Sequence, residues 1–378
     1  MQEFQRCTRC ILDTSVSDIW FDSSGVCKYC NINDEMEKKH PLGKEGQEKL
    51  ELIIQKIRQK GKNKKYDCVV GVSGGRDSTY TLLTAIKYGL RPLAVHFDNG
   101  WNTDISIENI IKAREKLNFD LITITAKSEE FKDLQIAFLK SSTPDADIPE
   151  DYAIYSVLYY TANKYGIKYI LNGHSFRTEG TSPISWSYMD PLYIRSVHKK
   201  FGKIKPISSF PHMTVFQLFY YTFIKKIKDV RLLELLEYHK NEVDKVLETE
   251  LGWKYYGGHH YENHLTRFFQ SYYLPQKFNI DKRKTELSAM IRSHQISRES
   301  ALDEIGTHPY SYDENDVDYV ITKLGLTKDD FKKIKEAPVK SHDDYKTLLP
   351  LIRLLKWPIW VATQIRLLPQ ILYLKYAK

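Results

Sequence analysis

The chain has 378 residues, which at about 150 residues per domain argues for roughly two domains. Hydrophobic residues are 42% and charged residues 28%, near the globular average, so wholesale disorder is excluded. Lys+Arg total 56 and Asp+Glu 48, a net charge of +8 that suits an anionic ligand and is too mild to demonstrate nucleic-acid binding.

The opening MQEFQRC has no apolar run, so a signal peptide is not expected. Cys7-x-x-Cys10 and Cys27-x-x-Cys30 follow, separated by sixteen residues. Each CxxC turn points two thiolates at one ion, and two such turns complete a tetrahedron. Residues 1–40 are therefore expected to form a zinc ribbon with a closed, structural Zn²⁺ site. An iron–sulfur cluster or redox-active pairs are the alternatives. A helix is expected around Glu45 to Gln59. KIRQKGKNKK (Lys56 to Lys65) then holds six bases and no acid and reads as a solvated helix end, with a phosphate-tracking patch as the alternative.

From Tyr66 the pattern alternates. Asp67 to Val72, Arg91 to Phe97, Phe119 to Thr125 and Ile167 to Gly173 read as buried strands, and Lys203 to Ile207 as a candidate fifth. Helices are expected at Ser78 to Lys87 and Ile105 to Lys116. Asp147-Ile-Pro-Glu150 has capping-box spacing and opens a helix to about Tyr165. Near-continuous apolar strands alternating with helices imply a doubly wound parallel α/β sheet over residues 41–210. Residues 211–345 read as mainly helical.

The tail, 346–378, mixes Leu, Ile and Trp with Arg353, Lys356, Arg366 and Lys375. The simpler reading is a terminal helix packed on the domain and broken at Pro358 and Pro369. The alternative is peripheral contact with a membrane surface. No window reaches about eighteen uncharged apolar residues, so no spanning helix is expected. With five cysteines and no disulfide pattern, a cytoplasmic location is expected.

The most informative residues are Ser73, Gly74, Gly75, Arg76, Asp77 and Ser78, between the first strand and the next helix. Two glycines let the backbone approach a ligand, and the free N–H groups of the helix start favour an anion. There is no GxxxxGK[ST] and no GxGxxG. The run resembles the SGGxDS loop of the PP-loop N-type ATP pyrophosphatases, the adenine-nucleotide alpha-hydrolase superfamily. That resemblance implies a five-stranded parallel sheet with ATP at the strand ends. It implies cofactor contacts from Ser73 to Ser78 and from Phe97, Asp98 and Gly173. It also implies Mg²⁺ near Asp77 and Glu179, with Asp77, Ser78, His174 and Glu179 as the catalytic set. A structural role for His174 is equally open.

Beyond this loop the chain resembles the N-acetyl sugar amidotransferases of surface-polysaccharide and lipopolysaccharide biosynthesis. The matching runs are the CxxC pairs, SGGRDS, HFDNGW, LNGHSFRTEG (Leu171 to Gly180), Gly252 to Lys284 and LSAMIRSHQISRESA (Leu287 to Ala301). At His294 the family pattern has Gly. The resemblance implies an ATP-dependent amidotransferase. A nucleotide-linked N-acetyl sugar is adenylylated on its acetamido oxygen, and ammonia then gives an acetamidino sugar, AMP and pyrophosphate. The substrate is expected along Gly252 to Lys284, at Tyr256, His260, Tyr261, Glu262, Lys277, Asp281 and Arg283. An aromatic helical core with a basic rim is the plain reading of the same stretch. A tRNA-modifying enzyme, of thiolation or lysidine type, is the alternative function. Thiolation is disfavoured because Cys68, the fifth cysteine, sits in an apolar strand. Gln2 follows Met1 and no GxCxG is present, so a separate glutaminase linked by a channel is expected; the resemblance implies that the partners are a glutaminase and a cyclase-like ammonia-channel subunit. Nucleic acid is not an expected partner.

Overall fold

The computed structural model describes residues 3–308, 310–365, 368 and 370–377; Met1, Gln2, Arg366 and Pro369 lie outside the described residues. The amino-terminal segment makes two isolated antiparallel bridges, Arg6 to Asp13 and Phe21 to Cys27, and leads into helix α1 (Lys28–Lys39). Helix α2 (Gly43–Gly61) buries Leu50, Ile54 and Ile57, a helical stripe that packs on the sheet. The basic run is the end of this helix and the turn after it, where Lys65 pairs with Asp120 at 2.9 Å.

Strand β1 (Cys68–Gly71), α3 (Arg76–Lys87), β2 (Pro92–Asp98), α4 (Asp104–Leu117), β3 (Asp120–Thr125), α5 (Ser128–Ser141), α6 (Ile148–Lys164) and β4 (Tyr169–Asn172) follow. Then come α7 (Pro191–Phe201), α8 (Val215–Phe219, continued as a π turn to Ile224) and β5 (Lys228–Arg231). The strands lie in the order β3-β2-β1-β4-β5, all parallel. Cys68 and Val70 pack toward α2 and α3, while Val69 packs toward α5 and α6. Both faces of β1, β2 and β4 are covered, which is why these strands read as unbroken apolar runs, whereas β3 and β5 are part-exposed edges.

Two local expectations are corrected. Lys203 to Ile207 is not a strand: the amides of Lys203 and Ile204 donate to Asp133 at 2.9 Å, and Pro206 has no N–H for a ladder. The fifth strand is Lys228–Arg231, past residue 210, a short charged edge. Asp147 does cap α6 by position, but its carboxylate pairs with Lys282 at 3.0 Å rather than bonding the helix amides.

The remainder is mainly helical: a 3₁₀ turn (Leu232–Leu235), α9 (Lys240–Leu251), α10 (His264–Phe268) running into a π stretch (Phe269–Phe278), α11 (Arg283–Arg292), α12 (Arg298–Thr307), α13 (Glu314–Leu324), α14 (Lys328–Glu336), α15 (Leu349–Leu354) and α16 (Lys356–Gln364). The tail breaks at Leu355, ahead of Pro358, which sits in the first turn of α16 where a missing N–H costs little. Among the described residues, no helix is long and apolar enough to cross a membrane. The strand order reverses between β1 and β4, so the loops after these two strands open into one crevice at their carboxyl ends.

Candidate active site

The loop after β1 is built to stay open to an anion. Gly74 has φ +79, and a Cβ there would stand 2.0 Å from the Ser106 carbonyl oxygen, so only glycine fits. Its own carbonyl accepts from Trp253 Nε1 (3.0 Å) and Asn109 Nδ2 (3.1 Å), which fix the turn. Ser78 Oγ accepts from the Ser73 amide (3.1 Å), and Ser73 Oγ from the Gly75 amide (3.3 Å). Gly75 caps α3 without a side chain, and the Arg76 amide donates to Tyr256 Oη at 3.2 Å. Three main-chain amides of the loop are thus held by three hydroxyls gathered at the helix start, groups that an anion would have to displace or share.

The loop after β4 faces it. Gly173 packs against the start of α3, where a Cβ would meet the Asp77 carbonyl at 2.8 Å. Glu179 Oε2 pairs with His174 Nδ1, and Asp77 accepts from Tyr238 Oη. Burial, reinforced by the Glu179 charge, holds the Asp77 carboxyl well above the ordinary range. Burial would lift Glu179 as well, but the His174 charge and hydrogen bond hold it below its ordinary value. The two neighbouring acids are therefore pushed in opposite directions.

Residues 253–264 roof the crevice. The Thr103 amide donates to the Glu262 carbonyl (3.0 Å) and the His264 amide to the Trp101 carbonyl (2.9 Å), tying this segment to the loop after β2. Glu262 Oε1 lies 2.9 Å from where a Gly75 Cβ would stand, directly over the phosphate loop. His260 Nδ1 is 3.6 Å from Glu262. Burial opposes charging His260, yet Glu262 outweighs it and raises the imidazole to about 9. Its ring lies 3.9 Å from that of His259, whose pKa is pushed well below the ordinary value by burial and by the His260 charge.

The other residues singled out in the sequence divide. Arg76 turns its guanidinium away to Asp244 on α9 (2.7 Å), leaving only its amide at the loop. Phe97 is core, edge-on to Phe131, and Asp98 accepts from the Gly100 amide at 2.9 Å. Tyr261 and Arg283 stand at the rim, Arg283 paired with Asp281 at 2.6 Å. Lys277 is elsewhere, donating to the carbonyls of Ile334 and Ala337. Cys68 is fully buried, and desolvation pushes its thiol up.

Four further residues line the crevice that no motif had marked. Tyr238 touches Asp77, buried Lys240 pairs with Glu286, and solvent-exposed Asp151 lies within electrostatic reach of His260 and Glu179. Their positions come from chain crossings that spacing alone does not reveal.

The four amino-terminal cysteines converge. Their sulfurs lie within 4.8 Å of one another, all buried, a metal-binding arrangement. Arg292 Nη1 lies 3.8 Å from Cys30 Sγ and balances thiolate charge. The cluster is tied to the crevice through Arg177, 4% exposed, which sits between His174 and Glu179. Its guanidinium donates to Glu37 of α1 (2.9 Å) and to the Glu234 carbonyl (2.7 Å).

Residues 262–357 match the family model described as "LPS biosynthesis protein WbpG-like, C-terminal domain". That region begins at the residue over Gly75, so it supplies one wall of the phosphate loop. An uncharacterized protein of Methanocaldococcus jannaschii is 26% identical over 172 residues, 45% of this chain; the chain spans 58% of that relative's length. The NH3-dependent NAD synthetase of Campylobacter jejuni overlaps 68% of this chain and 96% of its own at 16% identity, TM-score 0.30. The U34-tRNA thiolase NcsA of Methanococcus maripaludis, with its [4Fe-4S] cluster, overlaps 76% and 80% at 14% identity, TM-score 0.31. Overlaps this loose say nothing of chemistry. What the chain itself shows is a five-stranded all-parallel sheet, the SGGRDS turn between β1 and α3, a mainly helical carboxyl-terminal region and a four-cysteine cluster.

Proposed function

We propose that the protein is an ATP-dependent amidotransferase acting on a nucleotide-linked N-acetyl sugar for surface-polysaccharide biosynthesis. One observation carries this reading: Glu262, the first residue of the WbpG-like match, stands over Gly75 of the phosphate loop. Nucleotide loop and family-specific segment therefore share one crevice. The acetamido oxygen attacks the α-phosphorus of ATP; the new P–O bond forms as the α–β bridge breaks, and pyrophosphate leaves. Ammonia adds to the imidate carbon, loses a proton, and AMP departs with the oxygen. The product is an acetamidino sugar.

The main-chain amides after Gly74 hold the pyrophosphate, and Ser73 and Ser78 add hydroxyl donors. Glu262 and an incoming phosphate are like charges over one glycine, and the His260 imidazolium is placed to hold Glu262 aside. Tyr256, held on the Arg76 amide, fixes the roof at the helix start. Asp77 and Glu179 are the acids beside the loop that would hold Mg²⁺, whose charge offsets that of the leaving pyrophosphate.

For the cysteines we infer zinc. A tetrahedron with Zn–S near 2.3 Å has sulfur–sulfur edges of about 3.8 Å. Cys7–Cys30 and Cys10–Cys27 are 3.8 and 3.7 Å apart. In an iron–sulfur cubane each thiolate caps a different iron, which spreads the sulfurs further. A saturated site gives this zinc a structural role.

The test is incubation with ATP, an ammonium salt and UDP-linked acetamido sugars. The expected outcome is AMP, together with a sugar lighter by the difference between O and NH. AMP formed on transfer RNA instead, with binding that weakens steeply with salt, would overturn the reading in favour of tRNA modification.

A further inference from the structure

The positive charge of this chain is not spread evenly. Residues 191–228 hold eight Lys and Arg, residues 345–378 hold six, and neither stretch has a single Asp or Glu. With a chain total of +8, the remaining residues carry a net −6. Together with the run Lys56 to Lys65, these two acid-free stretches, far apart in sequence, concentrate the positive charge of the chain.

The fold joins them on one helix. Asp190, at the cap of α7, accepts from the Leu348 amide at 2.8 Å, and Ser196 Oγ accepts from the Lys346 amide at 3.1 Å. Between these two ties, Arg195 meets His212 at 3.2 Å, which seats the segment leading into α8. Six residues of helix separate Asp190 from Ser196, an axial rise of about 9 Å, so both acid-free stretches attach at one place.

These same stretches leave large apolar side chains in water. Phe216 is 87% exposed, Leu354 79% and Trp357 70%, with Phe219, Ile224 and Val361 also exposed. Helix α7, to which the start of the tail is tied, exposes Arg195, Lys199 and Lys200. A cavity of about 340 Å³ is lined by Arg195, His198, Lys199, Lys205 and His212, with no acid in its lining. Asp133 behind it is engaged by His198 (2.9 Å) and the amides of Lys203 and Ile204. Ligand-sized clefts begin at roughly this volume.

We propose that this face docks on an anionic lipid bilayer. The α7 bases and the basic cavity meet headgroup phosphates, and Phe216, Phe219, Leu354 and Trp357 enter the interfacial layer. Apolar and Trp side chains interspersed with Lys and Arg along stretches free of acid are the composition of a surface lying in the interface, with the exposed Asp343 and Asp344 just ahead of the tail at its border. Among the described residues no helix is long and apolar enough to cross a membrane, so the contact proposed is peripheral. The inference is independent of the sugar reading, since none of these residues lies in the crevice.

The full chain is mixed with vesicles of phosphatidylcholine alone and of phosphatidylcholine with phosphatidylglycerol, then sedimented. Binding to the anionic vesicles only is expected, with a blue shift of tryptophan emission and release at high salt. The pair F216E/W357E and, separately, K199E/K205E should each weaken binding by about tenfold or more. Zinc content, far-UV circular dichroism and AMP formation should not change. No sedimentation with anionic vesicles overturns the proposal. Equal binding to neutral vesicles overturns it as well. So does a lipid-indifferent oligomer that F216E/W357E dissociates, because the face would then be covered by a second copy.

Discussion

At the phosphate loop the two neighbouring glycines make different demands, and substitution separates them. A Cβ on Gly74 meets backbone, the Ser106 carbonyl oxygen at 2.0 Å, so Gly74→Ala is expected to disrupt the fold locally. A Cβ on Gly75 meets only side-chain ends, Glu262 Oε1 at 2.9 Å and Ser73 Oγ at 3.1 Å. Gly75→Ala should melt within about 1 kcal/mol of wild type yet bind ATP at least tenfold more weakly by calorimetry, because the methyl stands where phosphate must approach. A second position tests the family comparison. His294, where the family pattern has Gly, lies past the end of α11 with φ +58 and is exposed. The left-handed conformation costs a non-glycine residue about 1–2 kcal/mol, partly offset by the lower chain entropy of histidine when unfolded. His294→Gly should therefore stabilise by about 0.5–1 kcal/mol in urea unfolding; an unchanged midpoint would contradict this. Buried Glu150 gives a pH test. Its carboxyl is raised to about 8, chiefly by burial and then by Asp151, and Oε1 accepts from Asn263 at 2.8 Å. A folded-state pKa above the unfolded value gives stability present at low pH and lost as pH rises toward 8. Glu150→Gln keeps the acceptor and cannot ionise. Its melting advantage over wild type should grow between pH 5 and 8.5, by up to a few kcal/mol. Single residues were legible in the sequence where one turn contains the chemistry, as in Ser73 to Ser78. They were illegible where chains cross, as with Tyr238 and Lys240.

Elements were legible to the extent that their chemistry is local. The three inner strands, β1, β2 and β4, announce themselves because both faces are buried. Lys228–Arg231 does not, because an edge strand gains from charge and loses its apolar pattern. The cysteine knuckles were readable from spacing, but their connection to the crevice was not, since it runs through Arg177 to Glu37, 140 residues away. That connection makes Arg177 a positioning residue for the His174–Glu179 loop. Removing it leaves the Glu234 and His40 carbonyls without their donor and frees the loop from α1. Arg177→Met should lower stability by about 2–4 kcal/mol in urea and cut kcat while leaving the KM for ATP largely unchanged, with one zinc per chain retained. Arg177→Lys, which restores charge but not the fork, should recover stability more than turnover. Parallel loss and parallel recovery of both would reduce the residue to a plain structural contact.

The whole molecule adds a constraint on nitrogen. The reaction proposed here consumes ammonia, which is mostly ammonium near neutral pH, and a glutaminase needs an accessible nucleophile. Of the five cysteines, four converge on the metal-binding cluster and Cys68 is fully buried with its thiol pushed up by desolvation. A buried, protonated thiol is a poor nucleophile, so no cysteine in this chain is placed to open glutamine. The protein alone should accordingly be driven by an ammonium salt and remain inactive with glutamine. Below the ammonium pKa its rate at fixed total ammonia should climb about tenfold per pH unit, following the free NH₃ fraction, because a protonated nitrogen has no lone pair to attack the imidate. Addition of a glutaminase with a channel-forming partner should make glutamine effective and flatten that pH slope, since ammonia delivered inside a channel never equilibrates with solvent. The measurement is AMP release at fixed sugar and ATP, with ammonium or glutamine varied. If glutamine alone sustained the ammonium rate, a nucleophile other than these cysteines would have to exist in the chain, and the requirement for a partner would fall.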